Sequence, residues 1–320
     1  MKIGDVYNLK AFQAFKDSGA AFKDSGFAGT VLARNLEAID PTIFKKQFPE
    51  LALIGSGIVV DNTGGYAEKI RSRRTRPVGT FRNAGDASDN KGKITIAGET
   101  QFINVIEREA ESDWTDTQIK QAELEGINLP QEFIAAHNDI YMREIDEAGL
   151  VGINGNKGLF NYPGFASSAA AGDAASLTPA QLYEAIAELI TDQATAVNNT
   201  VNYKAGLVLL PVSVMNIANK KILDSSGGYG IGSVMKALRE NFPEIDFKDS
   251  FRGNNGFDGT VSSTVAISTS RESMLMRIPE TLRIGEIVKL GSFHFHTDSK
   301  YRVAGIDVLE DSAGRILTGL

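Results

Sequence analysis

The stretch DTQIKQAELEGINLPQEFIAAHNDIYMREIDEAGLV, residues 116–151, carries the strongest helical signal in the first half of the chain. Ile119 and Ala122, then Phe133, Ala136, Ile140, Tyr141, Ile145 and Ala148, recur at steps of three and four, the spacing of one helical face. Pro130 divides the run, because proline removes an N–H donor and is tolerated only in a helix's first turn. The pattern predicts a short helix, a break at 126–129, and a longer helix ending near Gly149 or Gly152.

Toward the N-terminus the signal changes to strand. Residues 66–81 and 93–105 flank a polar, glycine-bearing segment, 82–92, which reads as a long hairpin with a wide loop. Its first arm holds Arg71, Arg73, Arg74 and Arg76, with Arg82 following, and too few apolar residues for a private core. Such a hairpin is poorly stable alone and must lie on something else. Farther upstream, Pro41 and Pro49 interrupt residues 30–54, predicting an extended, clamped strand with a short helical turn. Residues 14–19 read AFKDSG, and 21–26 repeat it. Phe15 and Phe22 share a helical face that Gly19 and Gly26 weaken, so this segment reads as an arm that orders against a neighbouring surface.

Toward the C-terminus, a turn-rich 154–164 and an alanine-rich linker, 166–176, precede Thr178, Pro179 and Gln181, which form an N-cap, a first-turn proline and a capping-box partner. Leu182, Ile186, Leu189 and Val197 make that helix's apolar face. Residues 207–210 read as a buried strand leading through Pro211 into a helix bearing Val214, Ile217, Ala218 and Ile222, and the glycine cluster 227–232 opens a third helix to Asn241. From Val265 onward strands are expected at 265–268, 274–278, 287–290, 293–296, 301–304, 306–309 and 316–318. Helices in the middle and strands at both ends predict an α+β protein whose first and last thirds share a sheet.

Composition narrows the function. A chain of 320 residues with 42% hydrophobic and 23% charged residues is a folded protein of about two domains. A net charge of −7 argues against gripping nucleic-acid phosphates as its main business, so any DNA contact is local. The absence of cysteine excludes disulfides, cysteine-rich zinc sites, iron–sulfur clusters and thiol catalysis. No apolar run approaches the roughly 18 residues of a membrane span, and no signal pattern opens the chain, which reads as a soluble, cytosolic product.

The chemical motifs have plain readings. Gly228, Gly230 and Gly232 match neither phosphate fingerprint and read as a mobile loop. Glu107, Glu109, Glu111 and Asp113 alternate, so on a strand they share a face; they could hold a hard cation, but solvated acids or partners for another subunit's arginines fit better. His294 and His296 also share a face, with Asp298 following, while Phe293 and Phe295 take the opposite face of an ordinary half-buried strand. His137 has no nucleophile at helical spacing, and neither G-x-S-x-G nor H-E-x-x-H occurs. The arginine cluster lacks interleaved stacking aromatics, which favours intersubunit salt bridges over nucleic acid. No catalytic, cofactor or metal site is expected.

The order of parts, with a strand over 99–107, Trp114 and Thr115, Ile119, Ala122 and Gly126 ahead of Leu129, Ile145 and Asp146 with Gly152, and the turn Gly158, Leu159, Phe160, Asn161, Tyr162, Pro163, resembles the major capsid proteins of tailed bacteriophages, a fold shared with encapsulin shells. Ala33, Arg34, Leu36, Glu37 and Ile39 before Phe48 match the arm of such proteins. The resemblance implies an N-terminal arm (1–56), an extended loop (57–98), a peripheral domain with a long spine helix (99–177), an axial α/β domain (178–278) and return strands of the peripheral domain (279–320). It implies self-assembly through hexamers and pentamers into an icosahedral shell around a double-stranded DNA genome, held on the inner face without sequence specificity. Scaffolding, portal and decoration proteins are further partners it allows. It places the protein in the virion, made in the bacterial host cytoplasm, with no membrane. Arg71, Arg73, Arg74, Arg76, Arg82, Phe15 and Phe22 are then the intersubunit contact candidates. The alternatives are an encapsulin-like nanocompartment shell and a metal-dependent hydrolase using Glu107, Glu109 and Glu111.

Overall fold

The structure, a computed structural model, describes residues 51–53, 55–82, 92–196, 204–223 and 232–320. Phe15, Phe22, Val197 and most of the glycine cluster therefore lie outside the described residues, as does the side chain of Arg76. The chain passes through β1 (Val60–Asp61) into an antiparallel pair, β2 (Lys69–Gly79) and β3 (Ile94–Asn104), in register from Lys69 opposite Asn104 to Gly79 opposite Ile94. This is the hairpin that its two flanking strand patterns predict. β4 (Ile106–Thr115) runs straight into α1 (Asp116–Leu124), capped by a box in which the Thr115 N–H donates to Gln118 Oε1 at 2.9 Å and Thr115 Oγ1 accepts from the Gln118 N–H at 3.3 Å. Gly126, at φ +74°, terminates that turn, and α2 (Leu129–Leu150) begins with Pro130 in its first turn.

The buried stripe of α2 is not quite the expected one. His137, Tyr141, Ile145 and Ala148, at steps of four, four and three, face the core with Asp146, Gly149 and Leu150, whereas Ala136 and Ile140 are exposed. The helix lies against strands along the first stripe only, which turns the Ala136–Ile140 edge outward.

The second half supplies β5 (Ala166–Ala169), α3 (Pro179–Ala196), β6 (Leu207–Pro211), α4 (Val212–Lys220), β7 (Ile222–Leu223), β8 (Gly232–Ser233), α5 (Val234–Asn241), β9 (Asp246–Ser250), β10 (Ser263–Ile267), β11 (Met274–Arg277), β12 (Glu280–Ile284), β13 (Val288–Leu290), β14 (His294–Val303), β15 (Gly305–Val308) and β16 (Gly314–Thr318). Thr178 caps α3 as expected, its N–H donating to Gln181 Oε1 at 3.0 Å. The segment 166–176 is not purely a linker, since β5 pairs in parallel with β16. The strands expected at 293–296 and 301–304 are one long strand, β14. β9, DFKDS, and β12, ETLRI, carry too few apolar residues to stand out, and their pairing partners, β6 and β14, supply the reason they are strands.

Five strands form a mixed sheet in the order β5-β16-β10-β6-β9. Its central strands β10 and β6 are dry on both faces. Leu207, Leu209, Val265, Ile267 and Ile316 enter one core with Tyr141, Ile145, Leu159 and Phe160. Val208, Leu210, Ala266 and Leu317 enter a second core built on α3, α4 and α5 through Leu182, Ile186, Val214, Val234 and Leu238. The continuous apolar run in β6 follows from strand alternation between two cores. The first and last thirds do share sheets: β1 pairs with β11 beside β15, and β4 pairs with β14, which is flanked on its other edge by β12 and β13.

This sheet draws strands from both sides of positions 178 and 278. A fragment of residues 178–278 is therefore expected to melt without a cooperative transition, because β16 no longer covers β10. In the full chain Ile316→Ala, at a fully buried position, is expected to cost about 2–5 kcal/mol in urea unfolding.

Candidate functional site

Only the root of the hairpin is buried. Ile70 and Ser72 point inward from β2, and Ser72 Oγ donates to Asp307 Oδ2 at 2.5 Å. Arg277 Nε donates to the same oxygen at 3.0 Å while its Nη1 pairs with Asp61. Arg302 completes the root, donating to the Gly65 carbonyl at 2.7 Å and the Ala67 carbonyl at 3.2 Å. Residues two apart on a strand share a face, so Arg74 lies on the Ser72 side of β2. It donates to Gln101 Oε1 at 2.8 Å and the Val308 carbonyl at 2.5 Å, and lies 3.8 Å from Asp311.

The other hairpin face projects into solvent. Lys69, Arg71 and Arg73 stand on it with Phe102, opposite Arg71, and toward the tip with Pro77 and Ile96, which oppose each other. Phe102 is 62% exposed, Ile96 73% and Phe81 90%, and Arg82 is exposed beyond them. The sequence cluster thus divides in two: Arg71 and Arg73 have no carboxylate partner among the described residues, whereas Arg74 is committed to its own subunit.

Glu107, Glu109, Glu111 and Asp113 share the exposed face of β4, as their alternation predicts. Their cross-strand partners on β14 are Arg302, Lys300, Asp298 and His296. Glu107 lies 3.2 Å from Arg302 Nε and 3.8 Å from Lys300 Nζ. Glu109 and Glu111 have no ion-pair partner among the described residues. The four acids are spread along the strand, each opposite a different residue of β14. His294 and His296 lie on the same side of β14, but both nitrogens of His296 are directed at carboxylates, Asp113 at 2.6 Å and Asp298 at 2.7 Å. The opposite side of this sheet is closed by α2. His137 bridges Ser112 at 2.8 Å and Ser299 at 2.7 Å, and Trp114 stacks on Phe133 at 4.9 Å and on half-buried Phe295 at 6.5 Å. Arg108 pairs with Glu144 at 2.9 Å, and the Tyr301 hydroxyl donates to the same carboxylate. Burial pushes the Glu144 carboxyl up, but the bonds from Arg108 and Tyr301 outweigh it and hold it below the usual carboxylate range.

A further anchor was not legible as a site. Asp146, buried on the inner stripe of α2, accepts the Leu53 N–H at 2.9 Å, and a Cβ at Gly149 would lie 2.3 Å from the Leu53 side chain. Residues 51–53, leading in from the N-terminal segment, are thereby seated against α2. Burial pushes the Asp146 carboxyl up, against the Leu53 N–H and Arg252, which pull it down. A carboxylate beside Ile145 on an apolar stripe, three residues before a glycine, was the available signal.

The model of the family described as major capsid protein matches residues 83–319. Among solved structures, the capsid of Myoviridae phage XM1 is 42% identical over 90% of this chain and 98% of that one, with a TM-score of 0.80. The capsid of the native GTA particle aligns over 90% of this chain and 98% of that one at 12% identity and a TM-score of 0.66. The mature capsid of bacteriophage PhiM1 aligns over 88% and 91% at 12% identity and 0.62. The last two are likenesses of fold alone. No curated protein matches the chain.

The division of the arginines is testable in the isolated subunit. Arg71→Glu with Arg73→Glu is expected to change unfolding free energy by no more than about 0.5 kcal/mol, whereas Arg74→Glu, which strips donors from Val308 and Gln101, is expected to cost about 1–3 kcal/mol. Asp146→Ala leaves the Leu53 N–H without an acceptor and should lose about 1–3 kcal/mol. Asp146→Asn keeps an acceptor there and removes the buried charge, so chemical denaturation at pH 7 should show a smaller loss.

Proposed function

The chain belongs to the major capsid protein family, and from that premise we propose that the exposed hairpin face is the surface by which each copy grips the next in a closed shell. The protein is a structural, shell-forming component of a virion. The observation that carries the proposal is the presence, on two sheets of one subunit, of a basic and apolar face, Arg71, Arg73, Phe102 and Ile96, and an acidic row, Glu109 and Glu111, neither with an ion-pair partner among the described residues. A head-to-tail interface that closes into rings puts two such unlike surfaces together, and charge complementarity sets its register and suppresses wrong contacts.

Within this reading Arg71, Arg73 and Arg82 contact a neighbouring subunit, while Arg74 orients the hairpin for them; Arg76, Phe15 and Phe22 join the same contacts. Residues 1–56 are the arm and 57–98 the extended loop. The peripheral domain with its spine helix α2 spans 99–177 and 279–320, and the axial domain spans 178–278 with β5 and β16 as the strands that tie it down. Shells of hexamers and pentamers enclose double-stranded DNA, with scaffolding, portal and decoration proteins as further partners and synthesis in the host cytoplasm. No helix among the described residues is long and apolar enough to cross a membrane. The 42% identity to a phage capsid favours this over a nanocompartment shell and over a metal-dependent hydrolase.

Negative-stain images of the purified chain are expected to show closed shells, capsomers or tubes. Arg71→Glu with Arg73→Glu should abolish them while the subunit stays folded, and adding Glu109→Arg with Glu111→Arg should restore part of the assembly. Shells that survive both charge reversals would overturn the docking assignment, and a wild-type protein that is only a monomer or small dimer would overturn the shell itself.

A further inference from the structure

The exposed end of the β4–β14 ladder holds a constellation that the docking assignment does not use. His296 Nδ1 lies 2.6 Å from Asp113 Oδ1, across the strand pair, and its Nε2 lies 2.7 Å from Asp298 Oδ1. An ionised carboxylate only accepts hydrogen bonds, and a neutral imidazole has one donor nitrogen and one acceptor. Both bonds exist together only when the ring carries both protons.

We infer that His296 is a proton-operated clasp between β4 and β14: as imidazolium it ties Asp113 to Asp298, and on losing its proton it releases one of them and leaves Asp113, Asp298 and Glu111 as uncompensated neighbours. The titratable groups that face it are mostly carboxylates. From β4 come Asp113, directly opposite, and Glu111, which opposes Asp298. From β14 come Asp298 and His294, and from β13 the opposing residue is the neutral Val288. Lys300 and Arg283 line the same groove as Glu111 and Asp298, but their ammonium and guanidinium groups lie toward Glu107, at 3.8 Å, and Glu280, at 3.2 Å. The β4–β14 side packed against α2 presents His137 to Ser112 and Ser299 instead.

The proton's hold follows from the same contacts. The bond to Asp113, opposed by partial burial and reinforced by Asp298, keeps the ring above the ordinary histidine value of 6.5. A group whose pKa is raised by folding stabilises fully below its unfolded value, and that contribution disappears as pH rises through the folded one. The clasp is closed in mild acid and opens toward alkaline pH. It sits two residues before Thr115, the cap of α1, and beside the Asp116 N–H that donates to the Phe293 carbonyl at 2.9 Å. Opening therefore loosens the entry to α1 and the β13–β14 turn, where Leu290 and Phe293 are exposed. The inference is independent of where the hairpin docks.

Full-length unassembled subunit labelled with ¹⁵N-histidine tests it, the three histidines being assigned with His294→Gln. Two-bond ring correlations are expected to show both His296 nitrogens protonated at pH 6.5, a titration midpoint above the ordinary value, and a lower midpoint in Asp113→Asn and in Asp298→Asn. Amide exchange of 113–116 and 293–297, corrected for its intrinsic pH dependence, should lose protection as pH rises through that midpoint in wild type and stay flat in His296→Gln. A midpoint at or below the ordinary value, a midpoint indifferent to both aspartate variants, or protection that does not change with pH in wild type would each overturn the clasp. Should an aspartate variant fail to fold, the wild-type titration and exchange decide alone.

Discussion

Strands with no solvent face must be covered twice, and β6 and β10, central in the sheet β5-β16-β10-β6-β9, impose that requirement on the rest of the chain. Leu207 and Leu209 need the core beneath α2, while Val208 and Leu210 need α3, α4 and α5. Because side chains alternate along a strand, a single slip in register would exchange the two sets and break both cores at once. The last strand, β16, serves both cores through Ile316 and Leu317. Sequence-distant ends are thereby locked to the middle of the chain, a low-local, slow-forming topology that buries a large apolar area once closed.

The hairpin obeys the opposite economy. Its shaft is solvent-facing, so its direction is set almost wholly at the root, where Asp307 is fully buried against Ser72 and Arg277. Buried ion pairs repay little net stability after desolvation, but breaking one leaves a charge stranded. Their effect here is directional: a two-stranded ribbon, marginal by itself, leaves the subunit along a defined line. That suits the docking role proposed for its outer face.

The β4–β14 sheet shows how one strand pair separates two tasks. Trp114, Ser112 and Arg108 face α2 and hold the helix through stacking, the His137 bridge and the Arg108–Glu144 pair. The alternate residues, Glu107 to Asp113, remain in water and carry the negative charge.

The sequence alone determined the elements whose causes are local. Helical spacing with Pro130 and Gly126 located α1 and α2, the capping box at Thr178 began α3, and two strand patterns around a glycine-bearing turn defined the hairpin. Alternation placed four acids on one strand face. Only the tertiary structure decided matters that depend on a distant partner. Arg74 and Arg73 are indistinguishable neighbours in sequence, and it is Val308, 234 positions away, that turns one inward. β9 and β12 are strands because β6 and β14 offer them an edge, and Asp146 is an anchor because Leu53 arrives beside it. Local propensity is written in neighbouring side chains, whereas the fate of a charge is set by whichever group the fold brings within hydrogen-bonding distance.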